Sequence, residues 1–276
     1  MLRGCSWASP GCNHCYAEQI AKCFGKAGQP YEGTYDYQAD SWSGEVFFCE
    51  HKLEEPLKVR APQLIFPNSM SDICHPAVRR EWIMAIVEII AATPRHFYLP
   101  LTKRPNLIAQ KLMPAYRELS EFAGQPLPNI AVGTSVEHPK FLYRGDKLPE
   151  QWPGDCFLSI EPLLAELSIA PLLAHDTEGR IKQVIVGGES GKGARFMHPR
   201  WVRQLRDETK AYGRAFFLKQ WGDGHWTKPW LKEIGRTLDG REWNESPWPV
   251  PRPIDRVAPS TSERFRLSEA GAMAKE

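Results

Sequence analysis

The sequence predicts an α/β fold in which parallel strands alternate with helices and curl into a TIM-type barrel, either complete or incomplete. Three observations support this prediction. Short β-rich runs alternate with segments of helical periodicity. Several runs are apolar on consecutive residues, as in strands that are covered on both faces. Six runs are followed at once by charged or hydroxyl residues, and a parallel barrel carries its chemistry at the carboxyl ends of its strands.

Seven runs are predicted to be strands. They are EVFFC (45–49), QLIFPN (63–68), HFYLPL (96–101), NIAVGT (129–134), CFLSI (156–160), QVIVGG (183–188) and AFFLKQ (215–220). Seven strands in about 220 residues suit the TIM type of barrel. A doubly wound open sheet is the alternative.

Helices are predicted between these strands. Residues 76–92 carry an apolar stripe that Pro94 closes, and a second helix begins at Pro199 and ends at Gly213. Weaker helical patterns cover 16–24, 51–60, 104–113 and 137–147. The β–α alternation stops near residue 222, and SPWPVPRP (246–253) suits neither a regular helix nor a sheet. We therefore expect a barrel domain over residues 1–222 and an irregular extension with a polar tail over 223–276.

The composition is that of an ordinary soluble protein, with 42% apolar and 25% charged residues. The longest apolar run, WIMAIVEIIAA (82–92), contains Glu88 and is shorter than the roughly 20 residues that span a bilayer. No apolar core of a signal peptide follows Arg3. We expect a cytoplasmic protein without a membrane partner, whose thiols stay reduced. The net charge of +2 neither requires nor excludes a nucleic-acid partner.

The residues that follow the strands are candidate binding residues. They are Ser69, Ser71 and Asp72 after the second strand, Lys103 and Arg104 after the third, Ser135 and Glu137 after the fourth, Glu161 after the fifth, Gly187, Gly188, Glu189 and Ser190 after the sixth, and Lys219 in the seventh. The glycines of VIVGGESGKGAR (184–195) would let backbone amides approach a polar ligand, and Glu189 could accept from an amine. A tight turn between strand and helix is the simpler explanation of the same glycines.

One loop concentrates cysteines. GCSWASPGCNHCYAE (4–18) contains Cys5, Cys12 and Cys15 with the spacing C-x6-C-x2-C. Three thiolates can hold three irons of a [4Fe–4S] cluster and leave the fourth iron open. They can also bind zinc if His14 or His51 supplies a fourth ligand, or they can be unrelated thiols. The residues alone leave these alternatives open.

Many ordered segments between residues 4 and 247 resemble one phage-encoded family of uncharacterised proteins, named after phage gene products thirty-seven and sixty-eight and described as radical-SAM-like. The segments are GCSWASPGCNHCYAE, HKLEEPLKVRAPQLIFPNSMSDICHP, LTKRPNLI, NIAVGTSVEHPKF, FLSIEPLL, VIVGGESGKGARFMHPRWVRQLRDETKAYGRAFFLKQWG and GRTLDGREWNESP. The resemblance implies a radical-SAM-like barrel. In that barrel Cys5, Cys12 and Cys15 would hold a [4Fe–4S] cluster and S-adenosylmethionine (SAM) would be cleaved reductively.

The resemblance also implies roles for the strand-end residues. Gly187, Gly188 and Glu189, with Ser190 beside them, look like the motif that receives the amine of SAM, although that motif usually follows an early strand. The loops with Ser69, Ser71 and Asp72, or with Ser135 and Glu137, are therefore further candidates for SAM. A flavodoxin or ferredoxin would supply the electron.

Lys103, Arg104, Glu161 and Lys219 are the candidate substrate-binding residues. A nucleic acid or nucleotide is a candidate substrate, because the C-terminal third places tryptophans beside cations. These residues are Trp221, Trp226, Trp230, Lys228, Lys232, Arg236 and Arg241. Tryptophans that merely cap the barrel are the simpler explanation.

Two other functions compete with a radical SAM enzyme. One is a non-catalytic zinc or iron–sulfur module that interacts with nucleic acid or a partner protein. The other is a barrel hydrolase or lyase that uses Asp72, Glu161 and Glu189 as acid/base groups. Members of the resembled family carry a strand before the first cysteine, whereas four residues precede Cys5 here. Either the start is trimmed, or that strand and one anchor of the cysteine loop are absent.

Overall fold

The structure is a computed structural model that describes residues 1–224 and 234–249. The strands in these residues are β1 (Leu2–Arg3), β2 (Tyr35–Asp36), β3 (Ser41–Trp42), β4 (Phe47–Phe48), β5 (Leu64–Ile65), β6 (Phe97–Tyr98), β7 (Leu101–Thr102), β8 (Val132–Ser135), β9 (Cys156–Ile160), β10 (Ile181–Gly187), β11 (Ala215–Gln220), β12 (Thr237–Leu238) and β13 (Arg241–Glu242). The α-helices are α1 (Tyr16–Phe24), α2 (Glu55–Lys58), α3 (Arg80–Ala92), α4 (Ile108–Lys111), α5 (Met113–Ala123), α6 (Tyr143–Gln151), α7 (Ala170–His175) and α8 (Pro199–Ala211). Short 3-10 helices cover Pro10–Cys12, Glu50–Lys52, Pro105–Leu107 and Pro139–Phe141.

A parallel sheet forms the centre of this mixed α/β fold. Its five strands lie in the order β11-β10-β9-β8-β7, and every neighbouring pair is parallel. β5 and β6 form a second parallel pair. Parallel bridges from Tyr98 to Ile130 and from Arg3 to Met70 continue this arrangement toward β8 and β1. The predicted parallel sheet is therefore confirmed.

The described residues do not form a closed barrel, so the TIM-type barrel is not confirmed. The outer edge of β11 shows a physical reason. Leu218 N donates to Trp243 O at 2.9 Å, and Glu245 N donates to Phe216 O at 3.2 Å. An antiparallel bridge joins Phe217 to Asn244 between them. This segment occupies the edge where a further barrel strand would pair.

Several element boundaries differ from the predictions. The run at 45–49 contributes only β4, which pairs antiparallel with β1 and lies outside the parallel sheet. The run at 96–101 is divided into β6 and β7 around Pro100, and the helical pattern at 104–113 becomes a 3-10 turn followed by α4 and α5. β9, β11 and α1 have the predicted bounds. A strand does precede Cys5, because Leu2–Arg3 pairs with β4 and Arg3 bridges to Met70.

Alternation along the strands gives the sheet two different faces. One face packs against the helices in the main core, which contains Leu158, Ile160, Val184, Val186 and Leu218. The stripe of α3 is buried in the same core through Ile83, Ile86, Val87 and Ile90. The other side, called the inner face below, carries a smaller apolar cluster that includes Leu99, Phe157, Ile185 and Phe217.

Trp248 closes one end of the inner face. Its ring stacks on Phe97 with centroids 4.6 Å apart, and its Nε1 donates to Gln183 Oε1 at 3.0 Å. Gln183 lies on β10 and Phe97 on β6, so Trp248 connects strands that are distant in the sheet order. The described residues 234–249 thus pack onto the sheet, although they belong to the segment predicted as an irregular extension.

None of the helices in the described part of the chain has the length and apolar character that crossing a bilayer requires.

We predict that Trp248→Ala lowers the free energy of unfolding by about 3 kcal/mol, because it leaves a cavity beside Phe97 and removes the hydrogen-bond donor to Gln183 Oε1. Urea denaturation followed by circular dichroism measures this change. Phe122→Ala is the matched control, because the Phe122 side chain is 91% exposed. An equal loss of unfolding free energy in the two variants would contradict the role assigned to Trp248.

Candidate functional site

The cysteine loop, residues 4–15, lies against the carboxyl ends of the parallel strands. Gly4 N donates to Met70 O at 3.1 Å, just beyond β5. Cys5 follows β1, Cys12 ends the 3-10 helix Pro10–Cys12, and Cys15 is the N-cap residue of α1. The loop therefore begins and ends on regular elements that fix its position.

The three cysteines of this loop are free, partly exposed thiols that influence one another. The pKa of Cys5 is raised to about 12, mainly by burial, with smaller contributions from the charges of Asp72 and Cys12. Burial also raises the pKa of Cys15, again with a contribution from Cys12. Cys5 and Cys15 pack against the same small apolar cluster, which contains Ala17, Ala21, Tyr35 and Trp42. Cys12 is thus an electrostatic neighbour of both Cys5 and Cys15.

Asp72 provides the first anchor of the cysteine loop. Its carboxylate accepts from Thr102 Oγ1 at 2.6 Å, from Lys103 N at 2.9 Å and from Arg104 Nη1 at 2.8 Å. Arg104 then donates through Nη2 to Ser6 O at 3.2 Å and to Ser6 Oγ at 3.0 Å. Arg104 thereby joins the end of the β7 strand to the residue after Cys5.

Glu137 provides the second anchor and is fully buried. It accepts from Arg144 Nη1 at 2.9 Å, from Lys103 Nζ at 3.2 Å and from the Ser9 hydroxyl. Burial alone would raise the pKa of Glu137, but Lys103 and Arg144 hold it below its ordinary value. The carboxylate stays charged and binds the middle of the cysteine loop through the buried Ser9.

Glu189 provides the third anchor. It accepts from His14 Nδ1 at 2.9 Å, and from Arg195 through both the backbone N at 2.9 Å and Nε at 2.8 Å. Arg195 Nη2 also donates to Pro10 O at 2.9 Å. Burial would raise the pKa of Glu189, but hydrogen bonds from Arg195 and His14 lower it. These contacts join the loop after β10 to residues on both sides of Cys12.

Two glycines allow the cysteine loop to sit this close. A Cβ on Gly11 would lie 2.8 Å from Lys103 Nζ and 2.9 Å from Glu137 Cγ. Gly4 has φ +91°, and a Cβ there would lie 2.1 Å from Glu45 O. A side chain at Gly11 would therefore displace the second anchor, and one at Gly4 would be strained.

The remaining predicted site residues lie around this loop. Ser69 O accepts from Tyr16 Oη at 2.6 Å, and Ser135 O accepts from Arg144. Ser190 Oγ accepts from Gln220 Nε2 at 2.7 Å. Glu161 pairs with Lys219, and both act electrostatically on Tyr16. A Cβ on Gly188 would meet Trp221 O at 2.0 Å, so this glycine permits a close approach of two backbone segments.

One family matches most of the chain. It is described as protein of unknown function (DUF5131), and it matches residues 1–247. The chain belongs to this family. A comparison with curated proteins found no match. The DUF5131 match includes the cysteine loop, all three anchors and the segment that covers the edge of β11.

In this family member, no group of three or more His, Cys, Asp or Glu side chains within the described residues is arranged to hold a single metal ion. His14, a candidate zinc ligand, is engaged by Glu189, and His51 is exposed on the 3-10 helix Glu50–Lys52. The thiolates of a [4Fe–4S] cluster bind separate irons, so they need not converge on one point. The three loop cysteines could supply thiolates to three of the four irons of such a cluster.

Only some of the C-terminal tryptophans and cations lie within the described residues. Trp226, Trp230, Lys228 and Lys232 lie outside the described residues. Trp221 is buried and donates to Thr237 O at 3.1 Å. Arg236 donates to Asn244 Oδ1 at 2.6 Å, and the Arg241 guanidinium lies 3.5 Å from the centroid of the Trp243 ring. In the described part, these residues pack against their own chain.

The sequence indicates the anchoring carboxylates and Arg104 but not several of their partners. These are Ser6, Ser9 and Arg195, which lie in the cysteine loop or reach it, and Arg144, which pairs with the buried Glu137. Ser6 and Ser9 lie within the quoted cysteine segment, and Arg195 lies within the quoted glycine segment. Arg144 is an arginine in a helical pattern, where an exposed position is the usual expectation, yet it is only 2% exposed.

We predict that Glu137→Gln lowers the free energy of unfolding by about 3 kcal/mol at pH 7, because it leaves the buried Arg144 without its counter-charge. Urea titration measures the loss. Glu150→Gln is the control, since Glu150 pairs with Lys147 on the surface, and we expect it to cost less than about 0.5 kcal/mol.

The loss of stability in Glu137→Gln should depend on pH. Because the folded-state pKa of Glu137 is lowered, its stabilisation is present above the ordinary value of 4.5 and is lost as the pH falls through the folded-state value. We expect the stability difference between wild type and Glu137→Gln to narrow below pH 4.5. A difference that stays constant down to pH 3, read from urea titrations at several pH values, would contradict a charged, paired Glu137.

Proposed function

We propose that this chain is a radical SAM enzyme that binds a [4Fe–4S] cluster through Cys5, Cys12 and Cys15 and cleaves SAM reductively. The observation that carries the proposal is the position of the cysteine loop. Three carboxylates from the carboxyl ends of the strands hold the loop over the edge where parallel α/β folds place their chemistry. The likeness to the phage-encoded, radical-SAM-like family is a second line of support.

The cysteine thiols have the properties that a bound cluster requires. They are free, they share one loop, and Cys5 and Cys15 pack against one small apolar cluster. A metal centre releases the protons of coordinating thiols, including thiols whose pKa burial has raised. When bound, a [4Fe–4S] cluster with SAM supplies one-electron reductive cleavage of the sulfonium. The chain itself would supply three thiolate ligands and an apolar contact for two of them.

Cations close to these thiols would tune such a centre. Arg104 lowers the pKa of Cys5, and Lys103 lowers that of Cys15, in each case against the larger effect of burial. Positive charge and hydrogen bonds near coordinating sulfur favour the reduced, more negative state of a cluster. In this proposal Lys103 and Arg104 lie next to the cluster. The buried carboxylates of Glu137 and Asp72 hold these two cations under the cysteine loop.

The binding of SAM involves the same edge of the sheet. Glu189 already accepts from Arg195 and His14, so its carboxylate is engaged by the protein. Ser71 Oγ is buried and has no hydrogen-bond partner among the described residues. Ser71 lies between Met70, which binds the backbone of Gly4, and the anchor Asp72. Because this hydroxyl has no partner, we propose that the loop containing Ser69 and Ser71 contacts SAM.

The reaction requires an electron donor, and we propose a flavodoxin or ferredoxin in the cytoplasm for this task. A nucleic acid or nucleotide is the substrate we propose, from the tryptophans and cations of the C-terminal third of the sequence. A non-catalytic iron–sulfur or zinc module is the second candidate. It is favoured by the observation that Asp72, Glu137 and Glu189 are all used to fix the loop.

We predict that anaerobically purified protein contains about four irons per chain. Cys12→Ala should lose most of this iron, whereas Cys23→Ala should keep it, because Cys23 is exposed on α1 and outside the cysteine loop. Iron and sulfide analysis, with circular dichroism to verify folding, measures the effect.

The reaction is tested on the same samples. With dithionite and SAM, wild type and Cys23→Ala should form 5′-deoxyadenosine, and Cys12→Ala should not. Iron-loaded protein that forms no 5′-deoxyadenosine would indicate the non-catalytic module. A colourless protein with about one zinc per chain, or a cluster that survives Cys12→Ala, would contradict the cysteine assignment.

A further inference from the structure

A basic cavity lies at the amino ends of β10 and β11, at the opposite end of these strands from the cysteine loop. Its volume is about 300 Å³, and its charged lining residues are Lys182, Lys210, Arg214 and Glu245. They come from β10, from α8, from the turn before β11 and from the segment after β13. Three cations and one carboxylate thus meet in a cavity that is separate from the candidate site.

The sheet fixes two of these cations side by side. Gln183 and Ala215 are register partners on the neighbouring parallel strands β10 and β11. The residues directly before them, Lys182 and Arg214, are therefore neighbours at the same end of the sheet. A Cβ on Gly179 would lie 2.9 Å from Arg214 Nη1, so the guanidinium packs closely against the turn that leads into β10. Arg214 is positioned before any ligand arrives.

The carboxylate that lines the cavity is already compensated. Lys210 Nζ donates to both oxygens of Glu245, at 3.0 and 2.8 Å, and Phe216 N donates to Glu245 Oε2 at 2.9 Å. The backbone of Glu245 is also fixed, because its O accepts from Gln183 Nε2 at 2.8 Å. The charge of Glu245 is therefore balanced by Lys210, and a ligand meets the positive charge of Lys182 and Arg214.

The donors of Lys182 and Arg214 are not used up by their own carboxylate neighbours. Lys182 Nζ lies 3.8 Å from Asp155 Oδ1, and Arg214 Nη2 lies 3.6 Å from Asp176 Oδ2, both beyond hydrogen-bond distance. Asp176 Oδ2 accepts instead from Ile181 N at 2.8 Å. Arg214 Nε is buried and has no hydrogen-bond partner among the described residues. A buried donor without a partner costs free energy, which an oxygen of a ligand would recover.

These donors suit one kind of ligand. A guanidinium presents a planar fork that matches two oxygens of a phosphate group, and an ammonium adds a compact charge for a third oxygen. The volume of about 300 Å³ lies at the lower end of the range for small-molecule sites, which begins at about 300 Å³. The cavity therefore suits a phosphate group that is free or carried by a small molecule.

We propose that Lys182 and Arg214, beside the compensated pair of Lys210 and Glu245, form a binding site for a phosphate group. The phosphate is inorganic phosphate or the monoester of a small molecule. The site lies at the amino ends of the strands, so the proposal goes beyond the proposed function and does not depend on it.

The test is isothermal titration calorimetry on the full chain, purified anaerobically, in a phosphate-free buffer of constant ionic strength. The probes are inorganic phosphate and glycerol 3-phosphate, with glycerol as the probe that lacks the phosphate. We expect saturable binding that weakens about tenfold or more in Lys182→Met and in Arg214→Gln. Lys140→Met is the matched control and should bind as wild type does, since Lys140 is an exposed lysine on the 3-10 helix Pro139–Phe141. Circular dichroism verifies folding, and Lys182→Met decides the test if Arg214→Gln does not fold.

The two phosphate probes separate the sources of the group. Tighter binding of glycerol 3-phosphate supports a monoester, and equal or tighter binding of inorganic phosphate supports the free ion. No saturable binding of either probe, unchanged affinity in Lys182→Met, or an equal loss in Lys140→Met would overturn the site. A single-stranded oligodeoxynucleotide without a terminal phosphate is the last probe. If it binds through Lys182 while both small phosphates do not bind, the surface contacts a nucleic-acid backbone and the proposal is wrong.

Discussion

Buried carboxylates at the ends of parallel strands are the constraint on which this site depends. A carboxylate in a protein interior has to be paired with cations and hydrogen-bond donors, because its desolvation is otherwise too costly. Asp72, Glu137 and Glu189 meet this requirement with partners that reach the cysteine loop directly or through one arginine. The same contacts that neutralise the carboxylates therefore fix the positions of Cys5, Cys12 and Cys15.

This arrangement assigns different tasks to residues that look alike in the sequence. Lys103 and Arg104 are enclosed by Asp72 and Glu137, whereas Lys219 forms a half-exposed pair with Glu161. The first two cations hold the cysteine loop, whereas Lys219 is open to solvent. Membership of the DUF5131 family leaves the reaction open, so the placement of these side chains is the main guide to chemistry.

The sequence predicts those parts of the fold that depend on local pattern. β9 and β11 each contain several adjacent apolar residues, and the sequence predicts the bounds of both strands correctly. The sequence leaves a closed barrel, an incomplete barrel and an open sheet possible, because the segment at 243–245 that pairs with the edge of β11 has no strand periodicity. Likewise, strand ends indicate where Glu137 lies, but its partner Ser9 is 128 residues away in the chain. Contacts of that kind leave no signal in the spacing of residues.

The central claim is that the sulfur atoms of Cys5, Cys12 and Cys15 bind one inorganic centre. Anomalous diffraction at the iron absorption edge, from crystals of anaerobically purified protein, tests it most directly. We expect a compact group of iron atoms above the ends of the strands, in which three different irons are each bonded to the sulfur atom of one cysteine. Iron that is absent from the cysteine loop, or a single zinc ion bound there in its place, would contradict it.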